Sequence, residues 1–170
     1  LLNNDTFVEP DFLNHLVDYM EANPTVGAIQ PRIHYHHNRQ LIWNGGSYFA
    51  KWWGILYCKD ANQLPSATSL NIKEVDWITG CAFLTRTSIL KKIGCLSPNM
   101  FMYSEDVDLS FRIKALGYQL FYHGESVIYH IAGMSNKSKT KGKEGFINAN
   151  VHYYNQRNRL WILKKYTPWY

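Results

Sequence analysis

Cysteine is scarce: three residues, Cys58, Cys81 and Cys95, with no C-x-x-C pair. An odd, unclustered set supports neither a disulfide framework nor a structural zinc site, and it fits a reducing cytoplasm. Long apolar runs are missing too. No stretch approaches the ~18 residues that span a bilayer, and the first residues do not read as a basic region leading into an apolar one. Charged residues make up only 18% of the chain while hydrophobic ones reach 46%, which excludes a disordered chain. Internal repeats are absent, which argues against solenoids. Acids are the minority charge, 13 Asp and Glu against 18 Lys and Arg, so phosphates, nucleotides or an acidic membrane surface are the favoured partners.

Aromatic residues, by contrast, are abundant. Six Trp, twelve Tyr and eight Phe exceed what one modest core hides, so some should line a site or an interface. At about 150 residues per domain, the length of 170 predicts one domain. Leu1-Leu2 reads as the end of a buried strand running into the polar loop Asn3-Asn4-Asp5-Thr6, which suggests the later part of a longer protein.

The pattern alternates helix and strand. Pro10 and the spacing of Phe12, Leu13, Leu16, Val17 and Met20 predict a one-faced helix over Glu9–Glu21. Val26–Tyr35 reads as extended, Leu41–Lys59 as a hairpin or aromatic-lined excursion around Gly45-Gly46, and Asn62–Asn71 as a loop. Val75–Thr85 reads as an apolar strand interrupted at Thr79-Gly80, and Thr87–Ile93 as a short helix closed by Gly94. The clearest helix is Ser104–Leu116, with Ser104 as a cap and Glu105, Asp106 and Asp108 in its first turn. Tyr118–Phe121 and Ser126–Ile131 read as two short strands. The run 135–145, with Lys137, Lys139, Lys141 and Lys143, reads as a mobile basic loop before a closing helix over 146–166. These elements predict an α/β fold, a mixed sheet with flanking helices.

Three constellations can carry chemistry. Asn3-Asn4-Asp5 follows a strand, where open α/β sheets bind ligands; Asp5 can hold a hard cation, and the plain alternative is a polar turn. Glu105, Asp106 and Asp108 crowd a helix start: the helix dipole and an Asp108–Arg112 pair explain them structurally, while mutual repulsion would raise one pKa and create a proton acceptor. His130 ends a strand, where a hydrogen-bonded core histidine competes with a metal ligand. His34, His36 and His37 lack helical ligand spacing and read as surface residues.

Taken in order, Leu-Leu-Asn-Asn-Asp-Thr at the start, Val26-Gly27-Ala28-Ile29-Gln30-Pro31, Trp77-Ile78-Thr79-Gly80-Cys81, Tyr103-Ser104-Glu105-Asp106-Val107-Asp108-Leu109 through Arg112, Tyr129-His130 and Arg157-Asn158-Arg159-Leu160 resemble the C-terminal half of a family 2 glycosyltransferase of GT-A fold, rhamnosyltransferase-like. The resemblance implies a later part of that fold, one partial domain over 1–170, without the N-terminal nucleotide-binding half. It implies that Asn4 and Asp5 meet the donor diphosphate and that Asp5, with His130, holds Mg²⁺ or Mn²⁺; Asn3 replaces the first acid of the family's motif. It implies Asp106 as catalytic base in an ED motif with Glu105, and Trp77 and Gly80 on the acceptor side. Arg157 and Asn158 match a pair with no assigned role.

The expected function is inverting transfer of a sugar from a nucleoside diphosphate to an acceptor hydroxyl, saccharide or lipid-linked, in bacterial surface polysaccharide synthesis. Inversion follows from one base opposite the leaving group. The expected location is the cytoplasm, at the inner face of the membrane. This portion alone is expected to be inactive and, through an unpaired sheet edge, to self-associate. Trp77, Trp52 and Trp53 can stack on sugars, with core packing of Trp52 and Trp53 as the alternative. Two rivals remain: a non-catalytic carbohydrate-binding module, favoured by the aromatics, and a nucleic-acid-binding domain, weakened by the lack of a basic helix face or known fingerprint.

Overall fold

The computed structural model describes residues 1–131 and 149–168. The expected basic loop over 135–145 and the first residues of the closing helix, 146–148, lie outside the described residues.

Two long parallel strands form the spine: β2 (Val26–Tyr35) and β8 (Gln119–His130). Residues 26–34 of β2 are all buried, the signature of a strand covered on both faces. β1 (Thr6–Val8) runs antiparallel to the C-terminal end of β8, with Thr6 opposite His130. β3 (Ile42–Asn44) and β7 (Leu84–Thr85) pair with the other edge of β2, and β6 (Ile72–Glu74) with the first half of β8. β4 (Ser47–Ala50) and β5 (Ile55–Cys58) form a separate hairpin.

Helices cover both faces. α1 (Phe12–Ala22) buries Leu16 and Met20 against Val26 and Ile29. α3 (Glu105–Ala115) packs Leu109 and Ile113 against Ala28, Leu120 and Tyr122 on the opposite face. α2 (Thr87–Ile93) ends, as its sequence predicts, on a left-handed Gly94. α4 (Ala149–Tyr166) lays Ile162 onto Met100 and Val107. The α/β class with a mixed sheet and flanking helices is the fold observed.

Several local expectations are corrected. The two strands expected at 118–121 and 126–131 are one strand that crosses a register break: Pro31 faces His123, yet Arg32 faces Val127. Gly124, Glu125 and Ser126 bulge out between, and Gly124 lies so close to the carbonyl of Ser69 that a Cβ there would come within 2.2 Å of it. The expected loop 62–71 contains a 3-10 turn, Ala67–Leu70, held by the Tyr122 hydroxyl donating to Ser69 O at 2.8 Å.

Leu1 and Leu2 are exposed rather than buried; they lie beside Ala82 and Phe83 and line an open apolar cleft with Phe12, Leu13 and Leu16. Leu13 and Val17, expected on the buried face of α1, are exposed. His34, read as a surface residue, is buried on β2.

The largest departure is the segment expected as a strand over 75–85, which is ordered but irregular up to β7. Val75 N donates to Leu120 O of β8 and Asp76 N to Ser47 O of β4, but in the middle of the segment the amides are claimed by side chains instead of a neighbouring strand. Ile78 N donates to Ser110 Oγ (3.0 Å), Thr79 N to Gln30 Oε1 (3.2 Å) and Gly80 N to Asp106 Oδ2 (2.8 Å). Three consecutive buried or half-buried donors are thereby satisfied without a ladder. Because two acceptors, Asp106 and Ser110, stand one turn apart on α3, the segment is stitched to that helix.

Candidate active site

The candidate site lies around residues 78–81, where the end of the parallel pair, the start of α3 and the loop before β1 converge. From one side Asn3 N donates to Cys81 O at 2.9 Å, and Ile131 N to Asp5 O at 3.0 Å, so the 3–5 turn is held between Cys81 and the end of β8. From the other, Gly80 N holds Asp106. The buried Cys81 thiol records both neighbours: burial, and then the charges of Asp5 and Asp106, push its pKa up to about 12. Asp5 and Asp106 therefore border one region.

Asp106 is aimed by two amides, Gly80 N onto Oδ2 and Val107 N onto Oδ1, both at 2.8 Å. Its residue keeps some exposure, yet burial raises its carboxyl above the ordinary range against the opposing effect of those bonds. Glu105 is raised as well, by burial first and the Asp106 charge second, and its Oε2 is buried with no hydrogen-bond partner among the described residues. A raised carboxyl in a residue that keeps some exposure is suited to accept a proton. Desolvation, more than the mutual repulsion expected from the sequence, is the cause.

Asp108 differs. It is 1% exposed and receives Arg112 Nε, Lys165 Nζ and the Tyr166 hydroxyl at 2.7–2.8 Å. Burial alone would push its carboxyl up, but these bonds outweigh it and hold it below the usual range. Asp108 is a structural anchor between α3 and α4.

The loop before α3 is strained. Tyr103 and Ser104 both take left-handed φ, +67° and +63°, which non-glycine residues rarely adopt. Ser104, expected as the cap, makes no side-chain cap bond. The strain is held from α4: Asn158, completely buried, donates from Nδ2 to both Met102 O and Tyr103 O at 2.7 Å, and Arg157 Nε fixes the Asn158 Oδ1 at 2.9 Å. Arg157 also donates to Asn99 O at 2.9 Å. The pair whose role sequence reading left open is thus the clamp on the loop that delivers Glu105 and Asp106. Asn158→Ala would leave two loop carbonyls unpaired. We expect a loss of about 2–3 kcal/mol in chemical denaturation.

Asp5 and His130 face one another, with Oδ1 and Nε2 3.4 Å apart. Asp5 Oδ1 and His130 Nδ1 are buried without a hydrogen-bond partner among the described residues. Burial lowers the His130 pKa despite the opposing Asp5 charge, which favours the neutral imidazole, and its ring rests edge-on to Trp43 at 4.7 Å. A buried carboxylate oxygen beside a neutral imidazole fits a hard divalent cation that takes its remaining ligands from water and phosphate. Among the described residues no cluster of three or more His, Cys, Asp or Glu side chains is placed to hold a metal. Asn4 is exposed beside this pair.

Trp77 is half-buried. Its indole N–H donates to Tyr48 O at 3.1 Å and its ring packs on Met100, Val107 and Ile162. Gly80 contributes its amide, and an added Cβ would meet Asp106 at ordinary contact distance. Trp52 and Trp53 are 69% and 80% exposed, which removes the core-packing alternative for both. An open cleft of about 470 Å³ lies between β5 and α4, lined by Ile55, Leu56, Ser104, Gln156 and Arg159 among others.

The chain is 24% identical over 183 aligned positions to the N-acetylglucosaminyl-diphospho-decaprenol L-rhamnosyltransferase of Mycobacterium tuberculosis, covering 99% of this chain and 55% of that protein. It is 30% identical over 76 residues to the rhamnosyltransferase WbbL of Escherichia coli, covering 45% of this chain and 29% of that one. The chain thus spans about half the length, or less, of these curated relatives. Among solved structures it superposes on GalNAc-T7, determined with UDP, GalNAc and Mn²⁺, with a TM-score of 0.55 at 17% identity, over 79% of this chain and 28% of that one; this shares the GT-A fold. Among the described residues no helix is long and apolar enough to cross a membrane. The profile described as "Glycosyl transferase family group 2" matches residues 1–163, and the chain belongs to that family, with rhamnosyltransferase-like relatives.

Proposed function

We propose that this chain carries the base and the metal-binding residues of an inverting glycosyltransferase that moves a sugar, rhamnose by analogy with the mycobacterial and Escherichia coli relatives, from a nucleoside diphosphate to a hydroxyl of a saccharide or lipid-linked acceptor in bacterial surface polysaccharide synthesis. The observation that carries this reading is that residues 80–81 are bonded on one side to the 3–5 turn, where Asp5 faces His130, and on the other to Asp106, which the Gly80 amide holds. The lipid-linked acceptor is suggested by the name of the mycobacterial relative.

In this mechanism Asp106 takes the proton of the attacking hydroxyl at a free lone pair of its carboxylate, the amides of Gly80 and Val107 fixing its aim. Glu105 stands next to it as a second desolvated carboxyl, itself raised by burial first and by the Asp106 charge second. Asp108, bound by Arg112, Lys165 and Tyr166, is not free to act as the nucleophile that a retaining double displacement requires. Asp5 and His130 would hold Mg²⁺ or Mn²⁺, with Asn4 at the diphosphate. When bound, the ion supplies charge neutralisation at the departing diphosphate. Trp77 keeps the wall of the acceptor side in place through Tyr48 and its packing.

The test is turnover of nucleotide sugars by the complete protein, with the anomeric configuration of the product read by NMR; a product of retained configuration would overturn the mechanism. Asp5→Ala is expected to weaken Mn²⁺ binding, followed by electron paramagnetic resonance, by roughly 10–100-fold or more. Unchanged Mn²⁺ affinity in that variant would remove Asp5 from the metal site.

A further inference from the structure

The β4–β5 hairpin carries two adjacent tryptophans at its turn, Trp52 and Trp53, more exposed than any other large hydrophobic side chain described except Phe101, which equals Trp52. The turn abuts the last part of α4: Gly54 lies against Leu163 so closely that a Cβ would fall 2.2 Å from Leu163 Cδ2. Beside Leu163 on α4, Tyr153, Leu160 and Lys164 recur at helical spacing and are all exposed. Neither 47–58 nor 149–166 contains an Asp or Glu, whereas Lys51, Arg159 and Lys164 present exposed cationic heads. The acids packed beneath are already bound, Asp108 by Arg112 and Lys165 and Asp76 by Lys114.

We infer that the hairpin turn and the outer stripe of α4 form a face that seats on an anionic lipid bilayer. The chemistry is complementary on both counts. Indole rings partition to the headgroup level, and basic heads are drawn to the negative surface potential. A face that is aromatic and purely cationic has no matching acidic patch on these two elements with which a second copy would pair. This inference is independent of the transfer reaction, since it predicts lipid binding without nucleotide or acceptor.

The experiment is co-sedimentation of the complete protein with vesicles of equal parts phosphatidylcholine and phosphatidylglycerol, against vesicles of phosphatidylcholine alone. Binding is expected only to the anionic vesicles. Trp52→Ser with Trp53→Ser should lower the affinity roughly tenfold or more. Lys51→Gln with Lys164→Gln should lower it by about fivefold for each head removed. Tyr153→Ser with Leu160→Ser serves as an independent variant of the stripe, and circular dichroism verifies that each variant is folded. Absence of binding, equal binding to neutral vesicles, or binding by folded tryptophan variants at undiminished affinity would overturn the inference. So would a dimer in sedimentation equilibrium that the tryptophan variant dissolves, because a second copy would then be the occupant.

Discussion

Asp106→Asn in the complete protein is expected to lower kcat by about 10²–10⁴-fold while leaving Mn²⁺ binding unchanged. The amide keeps the size of the carboxylate but cannot take up the hydroxyl proton. A companion signature lies in the pH profile of the unmodified protein. A base must be ionised to act, and burial lifts both Asp106 and Glu105. The acidic limb of kcat/KM should therefore fall at a pH above the ordinary carboxylate values of about 3.9–4.3, and activity should rise through it as pH increases. Because the two carboxyls adjoin, the limb belongs to the pair. A limb at or below the ordinary range, or near-normal turnover in Asp106→Asn, would assign the base elsewhere.

The second large effect concerns stability. Asp108→Ala removes the acceptor shared by Arg112, Lys165 and Tyr166 and leaves cationic heads facing a buried gap. A cost of about 3 kcal/mol is expected, near the low end for a broken buried ion pair because Lys165 can swing into water. Its pH dependence has a definite sign. The folded-state pKa of Asp108 is depressed, so its contribution is fully present above the unfolded value of about 3.9 and disappears as pH falls through the lower folded value. Thermal melts of the unmodified protein and the variant should thus differ most at neutral pH and converge in strong acid. A constant difference down to the lowest pH would show that Asp108 is not ionised in the fold.

Much of the site was legible in the sequence because its motifs are local. The acids at 105–108 start a helix, Asp5 follows a polar turn, and β2 is a continuous buried run. What was not legible depends on partners distant in the chain. Val75–Thr85 has the composition of a strand, and nothing within it reveals that Ser110, Gln30 and Asp106 take the amides of Ile78, Thr79 and Gly80. Asn158 sits in a polar run of α4, and its hold on Met102 and Tyr103 is visible only once the helix is docked. Ser104 looks like a cap by residue type, but its left-handed backbone points its role elsewhere. The histidines illustrate the same limit: His34 and His130 lie on buried strand ends, yet only His130 has a carboxylate opposite it. The basic run at 137–143 lies outside the described residues.

The two stitches from α3 to residues 78 and 80 have a mechanical consequence. Asp106 and Ser110 grip that segment one helical turn apart, so the helix and the irregular stretch move as a single lever. Slow amide exchange at Ile78 and Gly80 would then report detachment of the helix, not breathing of the sheet.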